Sequence, residues 1–177
     1  MIRLRRLEVK DVPFMLEWMK DEDTKHIFQK DMSSITEEQA KSFVACSDNA
    51  IEDGCSLNYA VVDDSDDEYL GTISLKELDL KNKNAEYAVS FRKCAQGKGT
   101  ALEATKILLD KAFNELGLHR VYLNVLTTNI RANKFYEKVG FKFEGTSRGI
   151  LWHEGEFKDL NWYAMTEDDF ITPIMKY

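Results

Sequence analysis

Ala85-Glu86-Tyr87-Ala88-Val89-Ser90-Phe91 followed by Gln96-Gly97-Lys98-Gly99-Thr100-Ala101 is the stretch that decides how this chain folds. The first run reads as a strand, and Leu102 to Leu116 reads as a helix. A glycine-bearing turn between strand and helix leaves main-chain N–H groups unpaired at the positive end of a helix dipole. Such a turn holds phosphate. Gly97 and Gly99 carry no Cβ, so a ligand can come close to the backbone there. The segment has neither the Gly-x-x-x-x-Gly-Lys-Ser/Thr of a P-loop nor the Gly-x-Gly-x-x-Gly of a dinucleotide fold.

Reading outward, Ile2, Leu4 and Leu7 mark an extended first strand. Asp11 and Pro13 open a helix whose apolar stripe is Phe14, Met15, Trp18 and Met19. Thr36-Glu37-Glu38-Gln39 has the form of a capping box and starts a second helix that runs to about Cys46. Leu57–Val62 and Tyr69–Leu78 form a hairpin around the acidic run Asp63–Glu68. That run reads as a solvated turn, with cation or amine binding as the alternative. Gly117 ends the helix after the glycine turn, and Val121–Leu126 is a nearly continuous apolar strand. Asn129 caps a short helix that stops at Gly140. Phe141–Trp152 and Phe157–Met165 make a last hairpin, and the acidic tail from Thr166 is expected to fold back. With no linker or repeat, residues 1–177 read as one α+β domain with a mostly antiparallel sheet.

Asn129-Ile130-Arg131-Ala132-Asn133-Lys134-Phe135-Tyr136-Glu137-Lys138-Val139-Gly140-Phe141 carries the second signal. It resembles the Asn-x-x-Ala-x-x-x-Tyr-Glu-Lys-x-Gly-Phe of the GNAT superfamily of acetyl-CoA-dependent N-acetyltransferases. Gln96-x-x-Gly99-x-Ala101 likewise matches that family's Gln/Arg-x-x-Gly-x-Gly/Ala. The resemblance implies a mixed central sheet of about seven strands flanked by about four helices. It also implies acetyl-CoA as co-substrate, with the amides of Gln96, Gly97, Lys98, Gly99, Thr100 and Ala101 on its pyrophosphate. Phe91 lies where relatives pair their main chain with the pantetheine arm, and an N–H there would polarise the thioester carbonyl. Asn129 is a further candidate for pantetheine. Asn133 and Lys134 are candidates for the cofactor's amides or its adenosine phosphates.

Tyr136 stands where many relatives place the acid that protonates the departing thiolate; the other reading is packing against the cofactor arm. An alkylammonium, with a pKa of ~10, must lose a proton before it can attack. Glu86 is the candidate base, provided that strand register turns it toward the cleft rather than toward solvent. Direct attack in a ternary complex is expected, because no cysteine or histidine is well placed for an acyl-enzyme.

Arg3-Leu4-Arg5, Asp11, and Leu16-Glu17-Trp18-Met19-x-Asp21 narrow the likeness. They resemble the subgroup that contains the ribosomal-protein acetyltransferases and the polyamine, aminoglycoside and amino-sugar-nucleotide acetyltransferases. Tyr136, absent from many ribosomal-type members, tilts the acceptor toward a small-molecule amine or amino sugar over a peptide α-amine. A non-catalytic acyl-CoA sensor is the remaining alternative. Trp18, Phe28, Met32, Tyr87, Trp152 and His153 are candidates for the acceptor pocket.

The formal net charge of −7 argues against nucleic acid as a partner and suits a cationic acceptor. The three cysteines and three histidines fit no disulfide framework and no metal spacing, so no metal is expected. No apolar run reaches the ~20 residues of a membrane span, and the first residues are not a signal peptide. A cytoplasmic protein is the expectation, and the resemblance allows a homodimer.

Overall fold

A computed structural model describes residues 1–23 and 25–171. Seven strands form one sheet: β1 (Ile2–Arg6), β2 (Leu57–Asp63), β3 (Tyr69–Asp79), β4 (Asn84–Phe91), β5 (Arg120–Leu126), β6 (Lys142–His153) and β7 (Glu156–Thr166). Their order is β1-β2-β3-β4-β5-β7-β6. Every pairing is antiparallel except β4 with β5. The helices are α1 (Val12–Met19), α2 (Glu37–Cys46), α3 (Thr100–Asp110), α4 (Ile130–Val139) and the short α5 (Glu167–Ile171). The mixed sheet matches the expected fold, with α5 added to the four expected helices. Thr166 and Asp169 begin the folded-back tail, joined by a side-chain hydrogen bond of 2.9 Å, while residues 172–177 lie outside the described part. Among the described residues no helix is long and apolar enough to cross a membrane.

Side chains alternate across each strand, so the sheet buries two cores. On one face, Ile73, Leu75, Tyr87, Val121 and Leu123 pack with Ala104, Leu108 and Ala112 of α3 and its continuation. On the other, Ala60, Val62 and Tyr69 pack with Val12, Met15, Trp18, Met19, Ala40 and Val44 of α1 and α2. Thr36 caps α2 through a complete box with Gln39, as its spacing predicts. The helix after the glycine turn changes to a π-type turn over Lys111–Glu115 before Gly117 ends it.

Asp11 departs from the simple reading of a helix-opening residue. It is buried at 1% exposure and accepts from both terminal guanidinium nitrogens of Arg5 at 2.8 Å and from the Glu8 amide at 2.9 Å. The acidic run is also more than a solvated turn. Asp67 pairs with Arg3, Arg5 and Lys10, and the hydrogen bonds from Lys10 and Arg5 hold its carboxyl down at about 2. Glu68 pairs with Arg92 at 2.8 Å. The run tethers the β2–β3 turn to β1 and to the start of the glycine turn, because its carboxylates meet cations that arrive from distant parts of the chain.

The parting of β4 and β5 creates the site. They pair only at Asn84–Arg120, Ala85–Val121 and Glu86–Tyr122. Beyond Glu86, β4 stays with β3 as far as Phe91, while β5 stays with β7 as far as Leu126. The edge of β4 from Tyr87 onward is therefore left without a strand partner on the β5 side. A cleft of about 660 Å³ opens between the two strands.

Candidate active site

Glu86, Tyr87, Ala88, Val89, Ser90 and Phe91 form one wall of the cleft. Gln96, Gly97, Gly99 and Ala101 line its floor, and Asn129, Arg131, Ala132 and Tyr136 bring α4 to the opposite side. Gly97 and Gly99 have φ values of 77° and 84°, in the left-handed region that side chains avoid. Nothing lies within 4 Å of where a Cβ would stand on either residue. The main-chain N–H groups from Gly97 to Leu102 donate to no protein group among the described residues. Arg92 pins the entry to this loop through Glu17 at 3.0 Å, Glu68 at 2.8 Å and the Tyr69 carbonyl at 3.0 Å. Free amides at a helix N-terminus, beside an open strand edge, fit the pyrophosphate and pantetheine of coenzyme A by donor chemistry and by shape.

Arg131, which the motif reading passed over, donates to the Gln96 side-chain oxygen at 2.8 Å. This brings a guanidinium to the rim of the loop. Its place two residues after the Asn129 cap was the available signal.

The other expected cofactor residues divide. Asn129 lines the cleft, and its side chain caps α4 through the Ala132 amide at 3.1 Å. Lys98, Thr100 and Lys134 are not among the lining residues, and Thr100 is buried. Asn133 turns inward. Its amide donates to the Leu126 and Asn129 carbonyls at 3.0 and 2.8 Å, and its oxygen accepts from Asn161 and the Tyr163 hydroxyl at 2.8 and 3.0 Å. All four hydrogen-bonding positions of that side chain are filled within the fold, which leaves none for a ligand.

Tyr136 stands on the α3–α4 side, its ring held by Phe135, Tyr87, Phe141 and Tyr163 at centroid distances of 5.5, 5.9, 5.9 and 6.2 Å. Its hydroxyl has no hydrogen-bond partner among the described residues, and burial pushes the phenol up to about 12. At neutral pH it is a protonated donor facing the cleft.

Strand alternation puts Glu86 on the other face. Its carboxylate forms an ion pair with Lys76 at 2.9 Å and accepts from Asn124 at 3.4 Å, both at Oε1. Gln29 fixes Asn124 with a 2.6 Å hydrogen bond. Gln29 belongs to the segment Ile27–Met32, most of which covers the cleft on this side with Trp18. Of the expected acceptor-pocket residues, Trp18, Phe28, Met32 and Tyr87 line the cleft. Trp152 does not; it is 62% exposed and packs edge-on against Phe157. His153 also lies outside, held at the hairpin tip beside Glu154, which bonds His26 of the covering segment.

A sequence model described as an acetyltransferase (GNAT) domain matches residues 2–142. The chain belongs to this family. It therefore moves an acetyl group from acetyl-CoA to an amine. An uncharacterised N-acetyltransferase, p20, of Bacillus licheniformis is 24% identical, the match covering 96% of this chain and 94% of that protein. A spermidine N(1)-acetyltransferase of Escherichia coli K12 is 29% identical over 80% of this chain and 79% of its own. The solved spermidine N-acetyltransferase of Vibrio cholerae, in complex with CoA and spermine, shares the fold with a TM-score of 0.85. That structure is 23% identical and covers 96% of this chain and 98% of that one.

Proposed function

We propose that this acetyltransferase acts on a primary amine of a linear aliphatic polyamine, with Glu86 as the proton acceptor and Tyr136 as the acid. The observation that carries the reading is the fork between β4 and β5. It sets a carboxylate on one side of a single cleft and an unbonded phenol on the other. Acetyl-CoA supplies the activated thioester when bound. The Gly97–Leu102 amides and Arg131 would hold its phosphates, and the free edge of β4 its pantetheine arm.

Glu86 takes a proton from the acceptor's ammonium and so exposes the nitrogen lone pair. The C–N bond forms as the C–S bond breaks. Tyr136 gives its proton to the departing sulfur, and the nitrogen's surplus proton restores the phenol. Gln29 and the other lining residues of this segment narrow the acceptor side. That geometry suits an extended amine better than the N-terminus of a folded protein. The net charge of −7 and the likeness to spermidine acetyltransferases support the same choice. Within the subgroup that the sequence resembles, these observations favour the polyamine enzymes.

Thiol release from acetyl-CoA, measured with spermidine, spermine, an aminoglycoside, an amino-sugar nucleotide and a short peptide with a free N-terminus, tests the proposal. The expected result is the highest kcat/KM on spermidine or spermine. Turnover confined to the peptide or the sugar would overturn the polyamine assignment.

A further inference from the structure

Lys76 and Glu86 face each other across β3 and β4 at the last regular pair before the register breaks. Both line the cleft. Lys76 Nζ comes within 2.9 Å of Oε1, the oxygen that also accepts from Asn124, and among the described residues no hydrogen bond reaches Oε2. The carboxylate is thus held by one oxygen and open at the other. Glu86 is 17% exposed and Lys76 41%, so the ion pair sits at the inner end of a path to solvent. An acceptor ammonium at Oε2 would share one carboxylate with Lys76 Nζ, close enough for two like charges to repel appreciably in a partly buried site.

We propose that Lys76 is a positioning residue that fixes Glu86 by one oxygen and sets a positive charge beside the acceptor's ammonium. That charge weakens ammonium binding and eases loss of its proton. The inference rests on the reading of Glu86 as the proton acceptor. It adds a source of selectivity: the charge favours the neutral amine at the point of attack, and it disfavours a cation that cannot shed a proton.

The other charged or titratable groups on this side are Glu77 and Asp79 of β3, Arg120 and Tyr122 of β5, and Lys30 of the covering segment. Arg120 is already paired with Glu144 at 2.5 Å. All of them persist when Lys76 alone is changed.

The test compares Lys76→Met, which keeps the stem and removes the charge, with Lys76→Arg, which keeps the charge. Steady-state kinetics with spermidine and saturating acetyl-CoA are followed from pH 6 to 10. In Lys76→Met the acid limb of kcat should move up by about one pH unit, because that limb reports groups in the bound complex. At pH 7 its kcat should fall about tenfold, while KM for the amine falls severalfold. Lys76→Arg should keep the acid limb near its original position.

An unmoved limb in Lys76→Met, or the same displacement in Lys76→Arg, overturns the proposal. Glu86→Gln separates this from failure of the underlying reading. If Glu86→Gln leaves the profile unchanged, Glu86 is not the proton acceptor and both ideas fall. If Glu86→Gln removes the acid limb but Lys76→Met does not move it, only the role of Lys76 falls.

Discussion

Replacing Tyr136 with phenylalanine removes one hydroxyl and leaves the ring contacts in place. Phe135, Tyr87, Phe141 and Tyr163 surround the ring at 5.5–6.2 Å, and Phe fills the same volume. The hydroxyl makes no hydrogen bond to the described protein, so stability at pH 7 should change by less than about 1 kcal/mol. Turnover should change far more. A positioned acid contributes about 10²- to 10⁴-fold, so kcat should fall by that factor while KM for acetyl-CoA stays within about threefold. Alkaline pH gives an independent reading. Burial raises the phenol from 10.0 to about 12, so the folded state favours its protonated form. Above pH 10 the unfolded chain ionises this phenol first. The stabilisation present below pH 10 is then lost as pH rises toward 12, and amounts to at most about 3 kcal/mol. Urea unfolding at pH 8, 10 and 11.5 should show the original protein losing stability faster than Tyr136→Phe, because the variant lacks this group. Thiol-release kinetics supply the catalytic half of the test. A kcat within about threefold of the original would refute the acid role, and parallel alkaline stability curves would refute the raised phenol.

Two more substitutions probe the frame of the cleft. Gly71 lies opposite Phe91 in the β3–β4 register, and an added Cβ would come within 2.4 Å of the Ser90 carbonyl oxygen and 2.5 Å of the Phe91 ring. Gly71→Ala should therefore destabilise the protein by about 1–3 kcal/mol and raise KM for acetyl-CoA by displacing the open edge of β4, as read by urea unfolding and steady-state kinetics. Asn133→Ala breaks four hydrogen bonds, two of them buried and two half-buried, and should lower stability by about 2–4 kcal/mol in the same unfolding assay. KM for acetyl-CoA should stay within about threefold, and a rise beyond tenfold with little loss of stability would return Asn133 to the cofactor.

Local chemistry made much of the molecule readable from the chain. Capping at Thr36 and Asn129, helix stops at Gly117 and Gly140, and period-two alternation in the strands act over a few residues. A single sequence can therefore locate those elements to within a residue or two, and the glycine turn and the tyrosine motif together pointed to the family. The sequence also brought Tyr136, Asn129 and the loop from Gln96 to Ala101 forward as candidates. It missed Arg131 as a partner of the loop, because that contact joins segments that meet only through the fold.

What the sequence determined by itself was the succession of elements, the glycine turn between strand and helix, and the family. The tertiary structure decided the rest. It turned Glu86 toward the cleft, gave it Lys76 and Asn124 as partners, turned Asn133 inward, and made the solvated acidic turn a tether as well. Each of these depends on where β4 and β5 stop pairing or on which distant cation meets a given carboxylate. Strand register and ion pairing between remote segments are set by the packing of the whole sheet, so no local pattern in the chain records them.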